Sequence, residues 1–289
     1  MGIDVIGLRF LAYARRKQAF GRTLTIGRQK VDIDPPEQTK LARSLRLAPY
    51  DVSQKYAEAL LRQGFGSTGV ESLDHSAYEG ATLVHDLNFP FSREIEVFDT
   101  LIDCGTLEHV FNVPQALANL STLCATGGQI LHVVPANNFL GHGLYQFSPE
   151  LFFSYYSEKN GYKDTEVYLA HTTPRGYWYK ALPARHGERH EMLSPSQYLM
   201  CVRTLKGKAP ALPKEVQQSD YVHLWAEGAD ANEGRMKRML KSRPGLFYPL
   251  KKMANTLKQT KRFLWRKDID YVSARPSRLQ KVKLRSLLG

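Results

Sequence analysis

Glu108 and His109 are adjacent, and an imidazole is the side chain whose ordinary pKa suits proton transfer near neutral pH. They follow Thr100-Leu101-Ile102-Asp103, an apolar run closed by an acid that reads as a buried strand. In that position His109 can deprotonate a hydroxyl, with Glu108 beside it, or it can pack and hydrogen-bond structurally. His142, flanked by Gly141 and Gly143 on a loop beyond the next strand, has the same two readings. Asn137 and Asn138 supply amides that can orient a polar acceptor. Asp74 and Asp86 also close extended segments, and a carboxylate there can accept two hydroxyl hydrogen bonds. Gly27 follows Thr23-Leu24-Thr25-Ile26, where a glycine lets the backbone approach a ligand closely.

These groups need a scaffold that gathers strand ends. Ile6 to Ala14 has the apolar spacing of a helix that Phe20-Gly21-Arg22 ends. Helices are expected over 37–47 and 52–63, then a glycine-rich turn from Gly64 to Gly69 and extended segments at 70–73 and 81–85. A helix over 114–123 turns Leu117, Leu120 and Leu123 inward. After Gly127-Gly128, Gln129 to Val134 is the clearest central strand. A helix over 150–159 and strands at 165–169 and 197–204 follow. Alternation of strand and helix as far as Val134 predicts an α/β fold, Rossmann-like and doubly wound, with a mainly parallel sheet, a C-terminal antiparallel hairpin and a basic helical tail. In such a sheet Gly27, Asp74, Asp86 and Asp103-Cys104-Gly105 converge on one crevice outside the strands' carboxyl ends. The gap between Asp74 and Asp86 is too short for the usual parallel crossover, so the second segment is expected to be reversed, bent or outside the sheet.

The segment FDTLIDCGTLEHVFNVPQALANLSTLCATGGQILHVVP, residues 98–135, resembles a recurrent stretch of class I S-adenosylmethionine-dependent methyltransferases of the type 11 kind. His142 to Phe147 and Ser148-Pro149-Glu150-Leu151 resemble that family's approach to its next helix. The resemblance implies a Rossmann-like domain, S-adenosylmethionine as cofactor, and transfer of a methyl group to an oxygen or nitrogen of a small polar acceptor. It puts Gly27, Asp74, Asp86, Leu87, Cys104 and Gly105 on the cofactor, with Asp74 on the ribose and Asp86-Leu87 near the adenine. Glu108, His109 and His142 fall on the acceptor side. Two departures matter. The family's GxGxG-like loop is here Gly27-Arg28-Gln29-Lys30, so Arg28 or Gln29 must replace backbone contacts, or the cofactor is not bound. The ribose role is open between Asp74 and Asp86, and Asp74 has a further reading as the cap of a turn through Ser76.

The loop from Thr172 to Ser194 carries Arg175, Tyr177, Trp178, Tyr179, Arg185, His186 and His190. Aromatic faces with cations suit a saccharide or an anionic small molecule, and the loop is expected to act as a lid. Pro183 and Gly187 argue against the helix that a metal pair at His186 and His190 would need, so no metal site is expected. Three dispersed cysteines fit reduced thiols.

The net charge of +12 is concentrated at one end: from 231 to 289 there are 17 Lys or Arg against 3 Asp or Glu, a net +14, which leaves −2 for residues 1–230. Leu246, Leu250, Met253, Leu257 and Leu264 fall near one helical face with Lys251, Lys252, Lys258, Lys261, Arg262 and Arg266 around them. Over 244–266 such a helix can lie on an anionic membrane surface, pack on its own domain, or bind nucleic-acid phosphates, the last ranked lowest because no nucleic-acid module is visible. A lipid-linked glycan intermediate is one acceptor that this tail would suit; a non-catalytic scaffold holding a membrane or partner is the competing reading. Signal-peptide order is absent, no apolar run spans a bilayer, and Ile6 stands where a myristoylation signal needs Ser or Thr. The expectation is a cytoplasmic protein, peripheral at the inner face of the membrane if the tail binds lipid, and divided into an N-terminal helix (1–22), a methyltransferase-like domain (23–205) and the tail (206–289).

Overall fold

A computed structural model of the chain describes residues 2–92, 95–173, 175–184, 190, 192–208, 213, 216–227, 248–257, 271–272 and 278–289. Its centre is a sheet whose first half is parallel. Strands β1 (Gly2–Ile3) and β3 (Lys30–Val31) form a small pair of their own. In the main sheet, β2 (Arg22–Ile26) lies between β4 (Gly69–Asp74) and β6 (Phe98–Cys104), β5 (Leu83–Val84) flanks β4, and β7 (Cys124–Asn137) flanks β6, all parallel. Beyond β7, β11 (Tyr198–Lys206) runs antiparallel between β7 and β8 (Tyr162–His171), which is the expected antiparallel hairpin. Strand β9 (Tyr177–Ala181) pairs antiparallel with β8, and β13 (Leu279–Lys283) pairs with β9. The order β13-β9-β8-β11-β7-β6-β2-β4-β5 reverses direction between β2 and β6, the topological switch point of a doubly wound fold. Strand β10 (Met192–Leu193) pairs with β12 (Tyr271–Val272) outside this sheet.

Period-two alternation buries both faces. Leu24, Leu101, Ile130 and Val202 belong to one core cluster, whereas their neighbours Ile102, Leu131 and Cys201 belong to the other. Helix α3 (Val113–Leu123), capped by Asn112, closes the first face with Leu117, Leu120 and Leu123. Helix α1 (Val5–Lys17) closes the second with Leu8, Phe10 and Leu11, all fully buried. Asp4 accepts the Gly7 N–H at 2.7 Å as its N-cap, and Arg15, Arg16 and Lys17 face the negative end of the dipole. Residues 2–17 and 278–289 thus lie within the body of the fold, across both expected boundaries.

Three local expectations change. The helix expected over 52–63 shrinks to a π-helical turn, Leu60–Gly64, because residues 55–57 pair with 29–31: the Val31 N–H donates to the Lys55 carbonyl and the Ala57 N–H to the Gln29 carbonyl. The helix at 150 ends early: α4 (Pro149–Tyr155) stops where the Asn160 amide donates to the carbonyls of Ser154 and Tyr155. The Asp86 segment is neither reversed nor outside the sheet. A parallel connection without a helix suffices because only Leu73 with Leu83 and Asp74 with Val84 are paired.

The described part of the aromatic loop is not a lid. Tyr177, Trp178 and Tyr179 form β9 on the far side of the sheet order from β2, with Trp178 3% and Tyr179 7% exposed. Arg185 and His186 lie outside the described residues, and His190 hydrogen-bonds to the Leu182 carbonyl. Among the tail residues, α5 (Ser219–Glu227) precedes a helix, α6, over 248–257, and α7 (Leu284–Leu288) follows β13. Leu246, Lys258, Lys261, Arg262, Leu264 and Arg266 lie outside the described residues. No helix among those described is long and apolar enough to cross a membrane.

Candidate functional site

The carboxyl ends of β2, β4, β5 and β6 enclose a cleft of about 210 Å³ lined by Gly27, Leu73, Asp74, His75, His85, Asp86, Leu87, Asn88, Thr106, His109 and Val110. Gly27 is held at φ +73°, and a Cβ there would meet Thr106 Oγ1 at 2.8 Å, so only glycine fits. Its N–H donates to the Leu73 carbonyl, tying the end of β2 to β4. Asp74 is half-buried: Oδ1 accepts the His75 N–H at 2.7 Å and Oδ2 the Arg28 N–H at 3.3 Å. Each oxygen keeps acceptor capacity to spare, because a carboxylate offers about four acceptor positions. The turn-capping role through Ser76 is not what Asp74 does; Ser76 is instead the acceptor for the Tyr78 N–H.

Asp86 accepts both the backbone and the side-chain N–H of Asn88, at 2.9 and 2.8 Å, and these bonds hold its carboxyl below the usual range. Asn88 in turn accepts the Asn112 N–H, linking this wall to the cap of α3. His85 stacks on Phe91 with ring centroids 3.9 Å apart. Sequence reading passed over His75, His85, Asn88 and Thr106, which lie one or two residues from the acids and the glycine that it singled out.

Of the residues expected on the cofactor, Gly27, Asp74, Asp86 and Leu87 meet in the cleft, and four do not line it. The Arg28 guanidinium turns away to Glu58 at 2.8 Å and the Glu79 carbonyl at 2.6 Å, over the Tyr56 ring. The Gln29 amide is 2% exposed and donates back to the Ile26 carbonyl, tucked under the loop. Neither side chain therefore replaces missing glycine contacts. Cys104 points toward α1, with Sγ in the second core cluster and burial pushing its thiol pKa well up. Gly105, at φ +87°, serves as the turn after β6.

That turn is set by a buried network. Asp103 Oδ1 accepts the N–H groups of Thr106 and Leu107, and its Oδ2 lies 2.8 Å from His132 Nδ1. His132 Nε2 is 2.8 Å from the Tyr156 hydroxyl, and all three residues are at most 1% exposed. The 3₁₀ turn Leu107–His109 is therefore fixed by a strand-end carboxylate, an adjacent strand and the C-cap residue of α4. It buries Glu108 and points His109 into the cleft.

Glu108 is 1% exposed, and desolvation with the nearby Asp103 charge pushes its carboxyl up to about 8. Burial and the neighbouring His142 lower the His109 pKa, which leaves the imidazole neutral at pH 7. His142 lies beside the cleft, half-exposed, with Nε2 3.3 Å from Glu108 Oε1 and its ring edge-on to His109 at 5.4 Å. The three proposed acceptor-side groups thus come together from two loops. The Asn138 amide donates to the carbonyls of Ser194 and Ser196, the Asn137 amide donates to the latter, and neither residue lines the cleft.

No family model matches the chain, and no curated protein does. Solved structures do align. The N-methyltransferase NodS from Bradyrhizobium japonicum is 13% identical with a TM-score of 0.38, over 69% of this chain and 93% of that one. Phosphoethanolamine N-methyltransferase 2 from Haemonchus contortus, solved with S-adenosylhomocysteine, is 11% identical with a TM-score of 0.39, over 69% and 52%. The YcgJ protein from Bacillus subtilis is 10% identical with a TM-score of 0.38, over 70% and 98%. These alignments are too loose to carry chemistry between chains, and the fold assignment rests on the strand order.

Proposed function

We propose that this protein is an S-adenosylmethionine-dependent methyltransferase acting on an oxygen or nitrogen of a small polar acceptor. The observation that carries the reading is the cleft at the switch point, where two carboxylates, a positive-φ glycine and an imidazole share one opening. Its residues suit the nucleoside half of the cofactor: Asp74 or Asp86 for the ribose hydroxyls, Leu73, Leu87 and Val110 for an apolar ring face. At about 210 Å³ the cleft is below the roughly 300 Å³ of a drug-sized site, a volume we read as room for the nucleoside half. The cofactor, when bound, supplies a methyl group on a sulfonium. The protein's part is to hold the acceptor in line and exclude water, and His109 accepts the acceptor's proton.

The saccharide acceptor keeps one of its two supports, the basic tail, since Tyr177, Trp178 and Tyr179 form β9 instead of a lid. A second reading, a non-catalytic scaffold that binds a membrane or partner through its basic tail, is favoured by one observation: Arg28 and Gln29 are both committed within the protein where the resembling family opens its glycine loop. Calorimetric titration with S-adenosylhomocysteine separates the two. Binding supports the enzyme, and no heat at millimolar ligand sinks it. Asp74→Ala should weaken binding about 10-fold or more, as loss of a charged hydrogen bond costs about 1.5–3 kcal/mol; an unchanged Kd, with Asp86→Ala weakened instead, moves the ribose to Asp86.

A further inference from the structure

Glu108, His109 and His142 each offer one ligand atom, and the three atoms all lie within 4.8 Å of one another. Two ligands sharing one first-row cation at about 2.0–2.2 Å stand roughly 3–3.5 Å apart. The 3.3 Å between His142 Nε2 and Glu108 Oε1 already has that separation. The His109 ligand atom, on an exposed side chain beside them, lies within 4.8 Å of both.

A second observation points to a missing partner. Glu108 is 1% exposed, and among the described residues its Oε2 has no hydrogen-bond partner. A buried carboxyl oxygen without one is costly, and a cation that binds its deprotonated form is one remedy. The loop that brings His142 in is built for close approach: the Leu144 N–H donates to the Glu108 carbonyl at 2.7 Å. Gly143, at φ +73°, packs so tightly that a Cβ would meet Glu108 Cγ and its carbonyl oxygen at 2.9 Å.

We propose that Glu108, His109 and His142 bind a divalent transition cation at the rim of the cleft. Two imidazoles with one carboxylate suit Zn²⁺ or Fe²⁺; Mg²⁺ and Ca²⁺ favour oxygen donors. Three protein ligands leave coordination positions open, as in catalytic metal sites. His109 belongs both to this set and to the cleft, so an oxygen-bearing acceptor is the group that would share the cation. Metal binding is measured apart from the methyl-transfer reading, on which the acceptor role rests; an imidazole lone pair held by the cation is not free for the acceptor's proton, so with the cation bound His109 is a ligand and not the base.

The test uses the full chain, freed of metal with a chelator, and titrates Zn²⁺ by calorimetry and Co²⁺ by visible absorption. The expected result is one equivalent bound with a four- or five-coordinate Co²⁺ spectrum, unaffected by excess Mg²⁺. Glu108→Gln and His142→Ala should each weaken binding by about 10-fold or more, with circular dichroism unchanged. No binding at millimolar metal, or equal affinity in both variants, overturns the site, and displacement of Co²⁺ by Mg²⁺ overturns the transition-metal assignment. Titration of metal-free protein with S-adenosylhomocysteine is read separately, so failure of either proposal is distinguishable.

Discussion

His132 bonds Asp103 on one side and Tyr156 on the other, so its removal leaves a buried carboxylate with two backbone donors and no imidazole. Breaking a buried pair of this kind costs about 3–5 kcal/mol. His132→Ala should therefore lower stability by that amount in urea unfolding, whereas a surface change such as Lys40→Ala should not; a loss below about 1 kcal/mol would remove the network from the argument. The same change loosens the turn bearing Glu108 and His109. It should thus reduce metal affinity although His132 touches no ligand atom. Asp103 was legible as a strand end, but its partner was not: His132 reads from sequence as one polar residue in a central apolar strand, and only the register Asp103↔His132 brings the two together.

At the scale of elements, Asp4 and Gly143 are the positions where one atom fixes a segment. Burial holds the Asp4 carboxyl above its ordinary value of 3.8, so the folded chain keeps the Asp4 proton to higher pH than the unfolded chain. Relative to Asp4→Asn, the wild type therefore gains stability as pH falls through the folded value toward 3.8 and loses it as pH rises. Asn keeps the capping acceptor, so Asp4→Ala should lie about 1 kcal/mol below Asp4→Asn at every pH. Urea midpoints at pH 4 and 7 check both statements. Gly143→Ala forces a side chain into the Glu108 backbone at positive φ and should cost about 1–3 kcal/mol, seen as a fall in Tm together with weaker Co²⁺ binding. The strands and α3 were legible because period-two and period-3.6 patterns are strong there. Residues 52–57 misled because Tyr56, Ala59 and Leu60 have helical spacing, yet the chain at 55–57 gains more from pairing with 29–31 and from Arg28 on Tyr56. The lid misled for a related reason: Tyr177, Trp178 and Tyr179 are consecutive, and a strand edge supplied by β13 lies a hundred residues away in the chain.

For the whole molecule, the separation of charge sets the last experiment. On α6, Leu250, Met253 and Leu257 form one face and are 40%, 57% and 57% exposed, with Lys251 and Lys252 beside them. An exposed apolar stripe flanked by lysines is the pattern of a helix lying on an anionic bilayer. Truncation near Ala231 is the simple test of that role, but it would also delete β13 and α7, which belong to the body of the fold. Substitution within the full chain avoids the confusion. Each basic residue near an anionic surface contributes about 1 kcal/mol, so Lys251→Glu with Lys252→Glu should reduce pelleting with phosphatidylserine vesicles by more than about 10-fold. The wild type should pellet with those vesicles and not with neutral ones, and high salt should release it. Equal pelleting of wild type and double variant would remove the membrane from the tail's function and leave its charge to some other anionic partner.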